Sequence, residues 1–110
     1  MARCEHMNSR KEWKENTGLC NECAAAEGSR IYDEQDGRCA ICDTPLGKRN
    51  SVDGRVPPSA KLDHNHNTGQ IRGVLCSRCN LGLGHFNEKP GRLRDAATYL
   101  EKWEAKAKED

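Results

Sequence analysis

Two Cys-x-x-Cys pairs constrain the fold of this chain more than any other feature. The first pair is Cys39 and Cys42, and the second is Cys76 and Cys79. Four thiolates form a closed tetrahedral site, which suits structural zinc, whereas a catalytic zinc keeps one position open for water. The paired spacing therefore predicts one structural zinc ion held by all four cysteines.

The low apolar content of the chain favours such an ion as the substitute for a larger core. Leu, Ile, Val and Phe together make up about 14% of the 110 residues, a fraction that favours disorder unless something else organises the chain. Structural zinc contributes roughly 10–16 kcal/mol in small peptides, comparable to the stability of a whole domain. We therefore expect a small zinc-stabilised domain.

Local patterns predict the secondary structure around these cysteines. Good helix formers favour a helix over residues 24–36, closed by Gly37. Turn formers predict a loop over residues 43–60, and alternation predicts strands at 61–63 and 70–75 joined by a tight turn. A helix should begin at Cys79, although glycines weaken it. Apolar residues at helical spacing predict an amphipathic helix over residues 92–108.

The interval between the pairs carries polar groups suited to chemistry. It contains Asp63-His64-Asn65-His66, and Asn80 follows the last cysteine. A carboxylate and an amide oxygen are hard ligands that suit Mg²⁺ or Mn²⁺. A neutral imidazole can accept a proton from water near pH 7. Hydrolysis of a phosphodiester requires an activated water and a cation, so this stretch supplies candidates for both.

Three motifs together resemble the recombination endonuclease VII family, within the wider HNH or His-Me finger nucleases. They are residues 63–66, then Ile-Arg-Gly-Val-Leu-Cys over 71–76, then Cys-Asn-Leu-Gly-Leu-Gly over 79–84. The resemblance covers roughly residues 32–101. It implies an α+β fold with a ββα-metal core, two strands followed by a helix around an ion, and flanking helices.

The resemblance also implies roles for individual residues. Asp63 and Asn80 would hold the catalytic Mg²⁺ or Mn²⁺, and His64 would be the general base. The four cysteines of the two pairs would bind structural zinc. The expected activity is metal-dependent nicking or cleavage of DNA, and Arg72 and Arg78 flank the site as candidate phosphate contacts.

The first thirty residues form a separate segment in this interpretation, and residues 31–110 form the nuclease domain with its C-terminal helix. Cys4, His6, Cys20 and Cys23 could hold a second zinc, or His6 is simply a solvated histidine. Basic residues surround Trp13, and we favour a solvated surface with one anchoring tryptophan over a DNA contact.

Composition sets limits on compartment and partners. Six of the seven cysteines form Cys-x-x-Cys pairs, and no apolar run could span a bilayer, which indicates a reduced intracellular protein without membrane contact. Disulfides are the alternative, which the odd number of cysteines and their clustered pairs disfavour. A phage origin fits the size, and a homodimer is compatible with the pattern. Net charge is only +1, so DNA contact requires a local basic patch. Two alternatives remain open: a zinc-finger module that binds DNA without catalysis, and a finger that binds protein.

Overall fold

The computed structural model describes residues 12–14 and 17–109. In this part of the chain there are three helices and one two-stranded antiparallel sheet, which confirms the small α+β fold. The elements are α1 Asn21–Glu34, β1 Lys61–His64, β2 Ile71–Leu75, α2 Ser77–His85 and α3 Pro90–Glu109. The chain divides into two compact units, Met1–Cys79 and Asn80–Asp110. The division at residue 30 stays a prediction.

Helix α1 begins and ends earlier than the predicted span of 24–36. It starts at Asn21, directly after Cys20, and it ends at Glu34. The end is early because Asp36 and Gly37 both adopt positive φ angles, 54° and 67°, which a right-handed helix cannot include. The Gly37 N–H donates to the carbonyl of Tyr32 at 2.9 Å and so satisfies one of the last helical acceptors.

The hairpin of β1 and β2 contains an irregularity at Asp63, one of the predicted ligands of the catalytic metal. Leu62 pairs with Val74 and His64 pairs with Ile71, so Asp63 alone lies opposite two residues of β2. This is a β-bulge, a device that redirects side chains beside functional sites. The extra residue lies on β2, opposite Asp63, so the regular ladder is interrupted beside Asp63 and His64.

The turn of the hairpin is built by Asn65. Its side-chain oxygen accepts hydrogen bonds from the N–H groups of Asn67 at 2.8 Å and Thr68 at 3.1 Å. Its backbone carbonyl accepts from Gly69, whose φ is 78°. The predicted tight turn is confirmed, and Asn65 shapes it, as asparagine commonly does in turns.

A small core joins α1 to β2. Val74 and Leu75 are buried, and so are Ala24, Ile31 and Tyr32 on the helix. The side chain of Gln35 completes this junction. Its amide donates to the Val74 carbonyl and accepts from the Val74 N–H, each at 2.9 Å, as a neighbouring strand would.

The loop after the first cysteine pair is fastened to α1 by Arg49. Its guanidinium donates to Asp33 at 2.9 Å and to the carbonyl of Ser29 at 3.0 Å, and it lies 5.1 Å from the ring of Tyr32. The predicted loop is therefore held in place by a part-buried arginine, and its Leu46 is buried.

Helices α2 and α3 both start two residues before their predicted positions. Helix α2 runs through Gly82 and Gly84 despite their poor helix propensity. On α3, Tyr99, Leu100 and Trp103 are each more than half exposed. None of the helices in the described residues is long and apolar enough to cross a membrane.

Candidate active site and metal centre

The two cysteine pairs meet at one point. The four sulfur atoms of Cys39, Cys42, Cys76 and Cys79 lie within 4.8 Å of one another. The Sγ atoms of Cys42 and Cys76 are 3.8 Å apart, far longer than a disulfide bond. A tetrahedral zinc with bonds of about 2.3 Å requires sulfurs roughly 3.8 Å apart. The cluster therefore fits a structural metal ion such as zinc.

Backbone N–H groups point at the sulfurs, as expected at a thiolate site. The Ile41 N–H donates to Cys39 Sγ at 3.5 Å, and the Cys79 N–H donates to Cys76 Sγ at 3.4 Å. Burial raises the pKa of the Cys39 thiol, but backbone hydrogen bonds outweigh burial and lower that pKa to about 6. Burial and the neighbouring thiols raise the pKa of Cys79 to about 12. Four thiolates can share this volume only if a cation balances their charge.

Asp63 is buried, with 8% of its surface exposed, and it is paired with Arg72 across the hairpin. Nε of Arg72 donates to Oδ2 of Asp63 at 2.6 Å, and Nη2 donates to Oδ1 at 3.0 Å. Nη2 also donates to the backbone carbonyl of His64 at 3.1 Å. The guanidinium thus lies across the carboxylate in the two-point geometry that makes arginine pairs strong.

His64 is equally buried and lies between two other rings. The Trp13 ring meets it edge-on with centroids 5.4 Å apart, and the His66 ring lies 4.6 Å away. Burial lowers the pKa of His64, and repulsion from His66 lowers it further, whereas Asp63 acts in the opposite direction. The imidazole is therefore neutral near pH 7 and able to accept a proton.

The remaining predicted residues are placed as follows. Asn80 lies on α2 one residue after Cys79, and its pairing with Asp63 stays a prediction. Arg78 is exposed on the same helix. Cys20 is fully buried at the start of α1, and Cys23 lies in the first turn. Cys4 and His6 lie outside the described residues, so the second zinc site also stays a prediction.

Sequence reasoning missed two relationships at this site. The predicted anchoring role of Trp13 gave no indication of what it would contact, and no local pattern connects it to His64. The pairing of Arg72 with Asp63 could have been found, because counting outward from the tight turn places them nearly opposite each other in an antiparallel hairpin.

An antiparallel hairpin followed by a helix, with a four-cysteine cluster and an Asp-His pair at a bulge, defines a small α+β protein of the ββα-metal class. A family model of recombination endonuclease VII matches residues 6–102. The chain therefore belongs to the recombination endonuclease VII family.

Several known proteins are similar to this chain. The Gene 59 protein of Mycobacterium phage D29 is 39% identical over 79 residues, which are 71% of this chain and 43% of that protein. The Gene 59 protein of Mycobacterium phage L5 is 41% identical over 51 residues, which are 46% of this chain and 26% of that protein. The chain thus matches less than half the length of either phage relative.

A solved structure is also similar, that of the ββα-Me type II restriction endonuclease Hpy99I. The identity is 32%, the match covers 78% of this chain and 50% of that chain, and the TM-score is 0.44.

Proposed function

We propose that the chain is a divalent-metal-dependent DNA endonuclease that hydrolyses phosphodiester bonds, with His64 as the general base. Its family supports nuclease activity. The observation that carries the finer proposal is the Asp63-His64 pair at the hairpin bulge, in which both side chains are buried and the charge of the carboxylate acts on the pKa of the neighbouring imidazole.

The donor atoms fit a hard divalent cation. Each carboxylate oxygen of Asp63 has two lone pairs, and the hydrogen bonds from Arg72 engage one on each oxygen. Asp63 would hold the ion together with the amide oxygen of Asn80, both of which are ligand types that Mg²⁺ and Mn²⁺ accept. When bound, the ion would neutralise the charge that develops on the phosphate.

The chemistry of this chain's own residues follows from that arrangement. His64 takes a proton from a water molecule, and the water oxygen attacks phosphorus as the bond to the leaving oxygen breaks. The leaving oxygen takes its proton from solvent, and His64 later returns its own proton to water. Packing against Trp13 and His66 limits the positions available to the imidazole, so that its basic nitrogen is already oriented.

The four-cysteine cluster has a structural role in this proposal. Cys76 follows β2 directly, and Cys42 belongs to the segment that hydrogen-bonds to Val74 through Ala40. Zinc bound there would therefore hold the base of the hairpin that carries Asp63 and His64. It would leave no open position for a substrate, because all four ligands come from the protein.

The test is cleavage of supercoiled plasmid by zinc-loaded protein in Mg²⁺, in Mn²⁺ and in buffer without added divalent metal. Omission of metal is preferable to EDTA, because a chelator would also remove structural zinc. His64→Ala removes the base, and His85→Ala is the matched control, since His85 is an exposed histidine on α2. A branched junction substrate is tested in parallel.

We expect nicked or linear DNA from the unsubstituted protein and from His85→Ala, only with divalent metal. His64→Ala should keep its zinc and its DNA affinity but lose cleavage. DNA binding without cleavage of any substrate by any variant would instead support a non-catalytic zinc-finger module. Binding that is absent even at low salt would point to a partner other than DNA.

A further inference from the structure

The contact between Arg72 and Asp63 raises a problem for metal binding at Asp63. The guanidinium engages both oxygens of the carboxylate and a carbonyl of the next residue, so it places a full positive charge close to the lone pairs that would hold a divalent cation. Like charges a few ångströms apart repel strongly at a part-buried site. Metal binding and this ion pair therefore oppose each other in the free protein.

A substrate phosphate can resolve this conflict. The fork of an arginine matches the oxygens of a phosphate as well as those of a carboxylate. The Arg72 side chain is 32% exposed, whereas that of Asp63 is 11% exposed, so the guanidinium is the more accessible member of the pair. A phosphate approaching the hairpin would attract Arg72 and reduce its hold on the carboxylate.

We propose that Arg72 is a positioning residue that couples divalent-metal binding to the arrival of a DNA phosphate. In free protein its guanidinium holds Asp63 and weakens the affinity for metal. In the DNA complex it contacts phosphate, and Asp63 becomes available to the cation. This inference rests on the proposed function, because it assumes that Asp63 is a metal ligand of a DNA-cleaving site.

The coupling can be measured without cleavage. All proteins carry His64→Ala, so that DNA stays intact, and free Mn²⁺ is followed by its electron paramagnetic resonance signal during titration with and without a duplex. Asp63→Asn measures the Mn²⁺ binding that does not depend on this carboxylate, including the Mn²⁺ that DNA itself binds. The difference from the parent protein is the binding at this site. Arg72→Met removes the guanidinium and keeps a side chain of similar length.

Arg49→Met is the matched control. Arg49 is also a part-buried arginine in an ion pair, with a side chain 29% exposed and a 2.9 Å contact to Asp33 of α1. Circular dichroism and zinc content establish that each variant is folded. Arg72→Lys provides a second test if Arg72→Met does not fold, since lysine keeps the charge but cannot engage both oxygens at once.

We expect Arg72→Met to tighten Mn²⁺ binding in the absence of DNA by roughly tenfold, as removal of a nearby like charge predicts. Duplex DNA should tighten Mn²⁺ binding when Arg72 is present and have a much smaller effect when it is absent. Arg72→Lys should show a smaller gain of affinity than Arg72→Met, and Arg49→Met should show no gain.

Unchanged or weaker Mn²⁺ binding in folded Arg72→Met would overturn the inference and leave Arg72 as a structural support of Asp63. If Arg72→Met does not fold and Arg72→Lys does, an Mn²⁺ affinity of Arg72→Lys equal to that of the parent protein would also count against the inference. If Asp63→Asn leaves Mn²⁺ binding unaltered, the metal assignment of the proposed function fails instead. The two failures are therefore distinguishable.

Discussion

Removal of the Gln35 side chain should weaken the junction between α1 and β2. Its amide makes three hydrogen bonds: two with the backbone of Val74 at 2.9 Å, and one to the carbonyl of Arg38 at 2.7 Å. In Gln35→Ala all three are lost. Val74 has only 2% of its surface exposed, so its N–H would lose its partner inside the core.

The three hydrogen bonds contribute unequally to the free energy of unfolding. The Val74 carbonyl still accepts from the Ala40 N–H at 3.1 Å, and water can replace the bond to the exposed Arg38. The Val74 N–H has no such replacement, and an unsatisfied buried donor costs about 1–3 kcal/mol. We therefore expect Gln35→Ala to lower the free energy of unfolding by about 2 kcal/mol, a large share of the stability of a small domain.

Urea denaturation followed by circular dichroism, at one fixed concentration of free zinc, measures this change. With a slope of about 1–3 kcal/mol per molar urea, the midpoint should fall by roughly 1 M. The control is Gln70→Ala, because Gln70 is exposed and its backbone carbonyl, which accepts from Asn65, is kept. A change in Gln35→Ala no larger than that of Gln70→Ala would refute the reasoning.

Gly73 provides an independent check of the same contact. A Cβ atom there would lie 2.9 Å from Oε1 of Gln35 and 3.3 Å from Cβ of Ala40. Gly73→Ala should therefore displace the Gln35 amide and destabilise the protein. In the double variant the clash with Gln35 is absent. Its loss of free energy of unfolding should therefore be smaller than the sum of the losses in the two single variants, with a coupling on the order of 1 kcal/mol. Simple additivity would contradict the close approach of residue 73 to Gln35.

Three further predictions concern the metal centre and the base. Cys42→Ser should lose zinc and unfold, because structural zinc contributes roughly 10–16 kcal/mol; a folded, zinc-free variant in circular dichroism and metal analysis would contradict this. Trp13→Ala should lower kcat for plasmid nicking by about tenfold with little change in KM, because the ring that contacts His64 is lost, and Trp13→Phe should recover most of the rate. The pKa of His64 is lowered from 6.5, so the nicking rate should be level above that pH and fall only below it, where the base becomes protonated. His66→Ala removes a repulsion and should move this fall to higher pH; a move to lower pH would contradict the assigned cause.

The cysteine pairs and the hairpin were predictable because their signals are local. A Cys-x-x-Cys pair brings two sulfurs together within one turn of chain, and asparagine and glycine fix the bend at residues 65–69 through short-range hydrogen bonds. The ends of the helices were less predictable. Helix α1 ends at Glu34 because Asp36 adopts a positive φ, which residue type alone did not require.

The contacts that complete the site are of a different kind. Gln35 and Val74 are 39 positions apart, and Trp13 and His64 are 51 positions apart along the chain. No periodicity links such pairs, since their meeting depends on how α1 and the preceding segment pack on the hairpin. The two hydrogen bonds between Gln35 and β2 also require donor–acceptor distances that are correct to within a few tenths of an ångström, which only the packed structure provides.

The sequence by itself determined the family, the zinc-stabilised α+β core and the position of the Asp-His pair, because residue type and short spacing carry that information. The tertiary structure decided how the pair is used. It placed a β-bulge at Asp63, laid the guanidinium of Arg72 across the carboxylate, and enclosed His64 between two rings. The bulge and the Arg72 contact arise within one hairpin, whereas the contact of Trp13 with His64 arises only when distant segments pack together. In both cases charge pairing and burial depend on distance in space and not on order along the chain.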